Sequence, residues 1–507
     1  MNNSLAFLQG RRGDLTALLA GLMLPMAFAP FNMWPLAVVS LLILFMAWQQ
    51  VSAKRAFWRG WLFGVGMFTI GVSWVHVSMT RFGGVDELLS MALTLLFALF
   101  LALFPALAGG LARRFKRVEQ QPYLQLVVLM PVLWVLLEWV RSWIFTGFPW
   151  LTVGYSQIDS PLAGWAPVFG VFGLSLFIAM SAGLLALIWL QGQTVLRRTA
   201  PVLVLLWLLP LLLMRVDWSN PAGDPISVAL VQGNVSQDQK WLPEQRIPTL
   251  DLYANLSREN WGTDLIVWPE TAVPAVYHQI KPFLHAVAQE ARMNGSEMLV
   301  GIPVYDQRTK HFYNSMLSLG GEELFYFKRH LVPFGEYLPL PDLLGGIINF
   351  FQIPMSDFEP GDSEEAPLLR LVGHEAGISI CYEDVFGNEV IEALPSAAFL
   401  VNASNDAWFG DSMAPHQHLQ IARMRSLETA RYMLRSTNTG VSAIIDAKGQ
   451  LLATSPQFAV HVLKGEIQPL TGMTPFAVFG NLPVVIFCVL GVLALILVSV
   501  FRRPKSN

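Results

Sequence analysis

The sequence predicts an α/β domain carried by an eight-span bundle of membrane helices, and three observations support that expectation. Of the 507 residues 54% are hydrophobic and 14% charged, outside the usual range of a purely soluble chain. The long apolar runs crowd into the first 214 residues and return after Pro475. Residues 220–471 instead carry most of the acids, among alternating short strand-like and helix-like patterns.

A hydrocarbon core about 30 Å thick takes about 20 helical residues to cross. Eight runs reach or approach that length, at 15–29, 35–49, 60–78, 88–109, 123–140, 164–190, 201–214 and 476–500. The expected domains are therefore seven spans in 1–217, a water-soluble domain in 218–472, and an eighth span with a short tail in 473–507. Ala27-Phe28-Ala29 looks like a signal cleavage site, but Pro30 directly after it favours an uncleaved anchor.

Lys and Arg in short loops are retained on the cytoplasmic side. One set of connections holds Arg11, Arg12, Lys54, Arg55, Arg59, Arg113, Arg114, Lys116, Arg117, Arg197, Arg198, Arg502, Arg503 and Lys505, and the alternate set chiefly Arg81 and Arg141. Both termini are then cytoplasmic and residues 215–475 lie outside. The two cysteines, Cys381 and Cys488, form no disulfide framework. A lone thiol facing an oxidising exterior is a liability unless buried or used.

Within the soluble part, strands are expected at 226–232, 264–268, 297–302, 315–319, 376–380, 398–402 and 441–446, with helices at 244–259, 280–293 and 416–432. The apolar, Gly-containing stretch 343–354 reads equally as a buried loop or as a mobile lid.

Three polar residues end strand-like segments, where a rigid scaffold can aim a side chain into a cleft. Glu270 closes Leu265-Ile266-Val267-Trp268-Pro269, Lys328 follows Leu324-Phe325-Tyr326-Phe327, and Cys381 ends Gly377-Ile378-Ser379-Ile380. A cysteine attacks as thiolate, so a proton acceptor and a positive neighbour both assist it. Glu270 suits the first role and Lys328, with the Tyr382 amide N–H, the second. Taken singly, each residue has a blander reading, as a small core residue or a solvated strand end.

The surrounding motifs resemble those of a known family. Val267-Trp268-Pro269-Glu270, Lys328-Arg329-His330-Leu331-Val332-Pro333-Phe334-Gly335-Glu336 and Cys381-Tyr382-Glu383-Asp384 look like the three signatures of the nitrilase superfamily. With Thr146-Gly147-Phe148-Pro149-Trp150, Asn405-Asp406-Ala407-Trp408-Phe409 and the apolar spans, nearly the whole chain resembles the apolipoprotein N-acyltransferases, the membrane-embedded members of that superfamily. The resemblance implies an extracytoplasmic nitrilase-like αββα sandwich in a bacterial inner membrane. It makes Glu270 the general base, Lys328 the oxyanion stabiliser and Cys381 the nucleophile, supported by Glu336 and Glu383. It also implies a phospholipid acyl donor, usually phosphatidylethanolamine, and a diacylated apolipoprotein acceptor. Both substrates are lipids, which accords with membrane attachment. The alternative is a membrane-tethered amidase or nitrilase that hydrolyses a small substrate with the same triad.

Other residues carry less. Trp150, Trp241 and Trp408 are read as lining a lipid entrance, against the general role of Trp as an interfacial anchor. Glu138 and Arg141, three apart on one helix, are read as an ion pair or as a grip on a headgroup. Asn314 is read as hydrogen-bonding within the site or as an ordinary turn into a strand. His416 and His418, two apart, point to different faces, so no metal and no cofactor is expected. With a net charge of −3, Arg423, Arg425, Arg431 and Arg435 suit packing and ion pairs rather than nucleic acid. A monomer is expected.

Overall fold

The computed structural model describes residues 8–337 and 358–501, so the 343–354 stretch lies outside the described residues. The chain divides into two compact units.

The first unit comprises the described residues up to Trp74, Met91–Val216, and those from Phe479 onward. Among the described residues of the chain, five helices are long and apolar enough to cross a membrane: Glu87–Ala112, Leu124–Arg141, Pro161–Gln191, Gln193–Leu213 and Leu482–Ser499. Ala53–Gly71 followed by Val75–Arg81 makes a sixth if that bent pair counts as one span, and Pro35–Ala47 is apolar but short. The expected first run does not stay helical throughout. Its helix, Gly10–Met23, gives way to a 3-10 turn, Leu24–Ala27. Large apolar side chains stand exposed on these helices, among them Leu88, Leu208, Leu212 and Leu490, which suits hydrocarbon rather than water. Small residues let helices meet at the backbone. A Cβ at Gly21 would stand 2.0 Å from the Phe63 carbonyl oxygen, and one at Gly60 2.3 Å from that of Pro105.

The second unit, Val75–Ser90 with Asp217–Val478, is built on two six-stranded sheets. A short pair, β1 (Asn220–Pro221) with β14 (Leu470–Thr471), lies apart from them. The first sheet contains β2 (Ile226–Gln232), β3 (Leu265–Val267), β4 (Glu297–Asp306), β5 (His311–Ser318), β6 (Leu324–Phe327) and β13 (His461–Ile467), in the order 13-2-3-4-5-6. The second contains β7 (Leu368–Leu371), β8 (His374–Ile380), β9 (Phe399–Ser404), β10 (Met433–Thr437), β11 (Ala443–Ile445) and β12 (Leu451–Thr454), in the order 12-11-10-9-8-7. Strands 2-3-4 and 8-9-10 run parallel, and the flanking strands antiparallel.

Successive side chains on a strand alternate between faces. Val228, Leu230, Leu265, Val267 and Leu299 of one sheet meet Ile378, Ile380, Phe399, Val401 and Leu434 of the other in a single buried cluster. The alternate residues Ala229, Val231, Ile266 and Val300 are covered by helices Arg246–Arg258 and Tyr277–Met293. Leu400, Met433, Ala443 and Ile445 are covered by helix Ala414–Thr429. The layers are therefore αββα. Strands buried on both faces explain the nearly unbroken apolar run of β2.

The structure corrects two sequence expectations. The helix foreseen at 416–432 ends at Thr429, with Ala430 left-handed (φ 50°), and β10 follows. That strand was hidden because Arg435, Ser436 and Thr437 are polar yet fully buried. The strand foreseen at 315–319 begins at His311, because the outer end of the β4–β5 hairpin stands clear of the core and carries polar residues.

Candidate active site

Three strand ends converge. β3 stops at Val267, and Trp268-Pro269 lead into a turn that carries Glu270, whose neighbour Trp268 is fixed by Nε1 donating to Ser257 Oγ (2.8 Å). β6 ends one residue before Lys328, whose main-chain N–H donates to Asn314 O (2.8 Å) and so prolongs the ladder onto β5. β8 ends at Ile380, and Cys381 opens a 3-10 helix, Cys381–Val385, with φ 53°. A left-handed non-glycine residue costs about 1–3 kcal/mol and persists only where its surroundings enforce it. Here Asn402 Nδ2 donates to Cys381 O and His418 Nε2 lies beside the same oxygen, both at 3.2 Å.

Glu270 and Lys328 are buried, with Lys328 Nζ 3.6 Å from Glu270 Oε1 and 2.8 Å from Glu336. Asn314 Nδ2 donates to Glu270 Oε1 (2.7 Å) and to Glu336 Oε1 (3.1 Å). The Asn405 main-chain N–H donates to Glu270 Oε2 (2.8 Å), and the Val332 N–H to Glu336 Oε2 (2.8 Å). Burial opposes the Lys328 ammonium, but Glu336, Glu270 and the Cys381 sulfur outweigh it and hold that lysine above its ordinary range. For Cys381, burial and then Glu270 push the thiol up, against the opposing pull of Lys328. Both effects favour the thiol over the thiolate, so a Cys381 sulfur that reacted as a nucleophile would need a base to take its proton.

Glu383 touches the backbone on both sides of the site. Its carboxylate accepts from the Ile380 N–H (2.6 Å), the Arg329 N–H (2.6 Å), the His330 N–H (3.1 Å) and the Tyr326 hydroxyl (2.9 Å). Burial pushes its carboxyl above the usual carboxylate range, against the opposing pull of Lys328 and these donors. Glu383 thus fixes Lys328 through the two residues that follow it.

Beside Cys381 lies a second, fully buried network. His418 lies 2.8 Å from Asp384 and 3.2 Å from Asp406, and Arg435 lies 3.0 Å from Asp406 and 3.6 Å from Asp384. Burial and Arg435 oppose the imidazolium, yet the two aspartates outweigh them and raise His418 above its ordinary value. The other arginines in this region are buried too: Arg425 pairs with Glu428 (2.9 Å), and Arg431 donates to the Ala397 and Gly472 carbonyls.

Of the remaining residues singled out from sequence, Tyr382 is buried with its ring edge-on to Phe386 (5.1 Å), Trp408 stands edge-on to Phe82 (5.1 Å), and Trp241 is 37% exposed. Glu138, Arg141 and Trp150 belong to the helical unit. There Glu138 Oε1 accepts from the Val153 N–H (2.9 Å), Arg141 donates to the Phe148 and Trp150 carbonyls, and Trp150 packs on Trp74 (5.2 Å). Sequence reasoning gave no individual role to Asn405, Lys240 or Asp406; it read Arg435 as a packing or ion-pair residue, which its pairs with Asp406 and Asp384 bear out, and weighed His418 only as a metal ligand. The Asn-Asp pair within 402–406 was the available signal for the first and third.

The family model for the apolipoprotein N-acyltransferase N-terminal domain matches residues 20–184, and that for carbon-nitrogen hydrolase matches 227–475. The apolipoprotein N-acyltransferase of Methylococcus capsulatus is 47% identical over 475 residues, 94% of each chain. That of Coxiella burnetii is 40% identical over 93% of this chain and 97% of its own, and that of Pseudomonas putida 42% over 95% and 96%.

Proposed function

The chain belongs to the apolipoprotein N-acyltransferase family, and from that premise we propose the course of its reaction. It moves an acyl chain from a phospholipid such as phosphatidylethanolamine, through a thioester on Cys381, to the N-terminal α-amine of a diacylglyceryl-cysteine apolipoprotein. The observation that carries the assignment of roles is the buried Glu270–Lys328–Glu336 cluster at 3.6 and 2.8 Å, in which the charges of Glu270 and Lys328 act on the Cys381 thiol.

In the first half, Glu270 takes the thiol proton as sulfur attacks the ester carbonyl. Lys328 and the Tyr382 main-chain N–H stabilise the oxyanion. The carbon–oxygen bond breaks, and Glu270 returns the proton to the departing lysophospholipid oxygen. In the second half, the acceptor amine attacks the thioester, Glu270 receives a proton from nitrogen, and the carbon–sulfur bond breaks. The thiol regains its proton, and the product is an amide. Lys328, held charged by two carboxylates, can serve both tetrahedral intermediates without titrating.

Eight spans, cytoplasmic termini and a periplasmic catalytic domain complete the reading, supported by the one-sided distribution of Lys and Arg and by the long apolar helices. Trp241 and Trp408 would border the lipid entrance, the latter braced by Phe82. The enzyme would act as a monomer.

The test is the intact mass of wild type and Cys381→Ala after incubation with phosphatidylethanolamine, followed by a diacylated lipopeptide. A hydroxylamine-labile acyl adduct on wild type alone, discharged onto the peptide amine, is the expected result. Discharge only to water would indicate a hydrolase, and absence of any adduct would remove Cys381 as nucleophile.

A further inference from the structure

Lys240 is a buried cation that the mechanism above leaves unused. It lies in the turn after β2, where its main-chain N–H donates to Ser236 O (2.9 Å) and closes one helical turn. The three-residue spacing puts Gln237 and Lys240 on the inner face, while Asp238, Gln239 and Trp241 are exposed. Gln237 Oε1 accepts from Asn405 Nδ2 (2.8 Å), and the Asn405 N–H is itself a donor to Glu270. Lys240 Nζ donates to Thr271 Oγ1 (2.8 Å). Thr271 directly follows Glu270 and has φ 45°, a backbone that a β-branched residue adopts only under constraint.

Burial of an ammonium is costly without compensation. Among the described residues Lys240 forms no salt bridge, and the carboxylate that acts on it is Glu270. Lys240 thus adds a second cation to the one that Lys328 sets against Glu270 and Glu336, while Asp384 and Asp406 are answered by Arg435 and His418.

We propose that Lys240 is a positioning residue of the transfer site: its ammonium, anchored on Thr271, fixes the chain just beyond Glu270 and favours the carboxylate form of Glu270 that accepts the Cys381 proton. The inference rests on Glu270 being the base. Facing Glu270 are Lys328 from the end of β6, Lys240 from the turn after β2, Asn314 from β5, the Asn405 N–H from the end of β9, and Cys381 from the end of β8. Glu336 lies across Lys328, and Asp406 acts on Cys381. Burial pushes Lys240 down to about 8, against the pull of Glu270, so it remains mostly charged at neutral pH.

The experiment is the pH dependence of kcat/KM for peptide acylation by the full-length enzyme in phospholipid–detergent micelles. Wild type, K240Q, K240M, K240R and E270Q are compared, with thermal unfolding of each. K240Q keeps a donor to Thr271 without the charge, so it remains informative if K240M fails to fold. The acid limb reports the essential base. In K240Q transfer on that limb should slow roughly tenfold and the limb should move to higher pH, and in K240R it should stay near wild type. A uniform loss at every pH with the limb unmoved overturns the proposal and leaves Glu270 as base. Wild-type transfer by E270Q removes the base assignment, and the inference with it.

Discussion

At Asn314 one amide nitrogen serves two carboxylates, Glu270 and Glu336. Hydrogen bonds to charged groups contribute about 1.5–3 kcal/mol each, so Asn314→Ala should slow acylation of Cys381 about a hundredfold, read by single-turnover mass spectrometry. A loss below threefold would remove Asn314 from the site. The thiol gives a second residue-scale prediction. Because burial and Glu270 hold the Cys381 proton on sulfur, alkylation by iodoacetamide should be slow at pH 7 and rise steadily in alkaline buffer. Glu270→Gln should speed alkylation at pH 9 while abolishing transfer, since one of the charges opposing the thiolate has gone. Order and motif in the sequence were enough to nominate Glu270, Lys328 and Cys381. Asn314 was underweighted because Tyr-Asn-Ser also reads as a turn, and only the pairing of β5 with β4, Asn314 opposite Pro303, shows it to be inside a strand.

Between elements, two contacts make measurable claims. Phe82, in the segment 75–90, meets Trp408 edge-to-face, an arrangement that contributes about 0.5–1.5 kcal/mol beyond area burial. Phe82→Ala should therefore raise tryptic cleavage after the exposed Arg81 roughly fivefold, followed on gels, and an unchanged rate would deny that this pair holds the segment. His418 couples helix Ala414–Thr429 to the loops after β8 and β9 through Asp384 and Asp406. Its folded value is raised, so its contribution to stability is complete below about 6.5 and fades as pH climbs through the raised value. Wild type should lose more melting temperature than His418→Gln between pH 6 and 9. Strands buried on both faces were legible as apolar runs. β10 was not, since its polar residues are satisfied by partners distant in sequence: Arg435 by Asp406 and Asn402.

On the scale of the whole molecule, hydropathy separates a helical from an α/β part in outline, because a hydrocarbon solvent demands long apolar runs, but it gives no sign that Val75–Ser90 groups with the α/β unit. Span ends were not readable. The first helix starts in the basic residues at Gly10 and stops before Pro25, which a hydropathy window cannot see. The topology proposal can be tested in spheroplasts, in a Cys381→Ala background. A cysteine at the exposed Lys448 should react with a membrane-impermeant maleimide in intact cells, and one at Lys54 only after permeabilisation. The reverse pattern would invert the topology.

The Glu383 carboxylate has a further consequence. It joins Ile380, the last residue of a strand in one sheet, to the main chain just past β6 in the other. Two sheets held mainly by apolar contact can slide, since such contact has little directionality. A rivet here, beside the tie from the Asn405 N–H to Glu270, makes the separation of ammonium and sulfur insensitive to slippage elsewhere. Insertions in loops remote from the rivet can then accumulate over evolutionary time without detuning the chemistry.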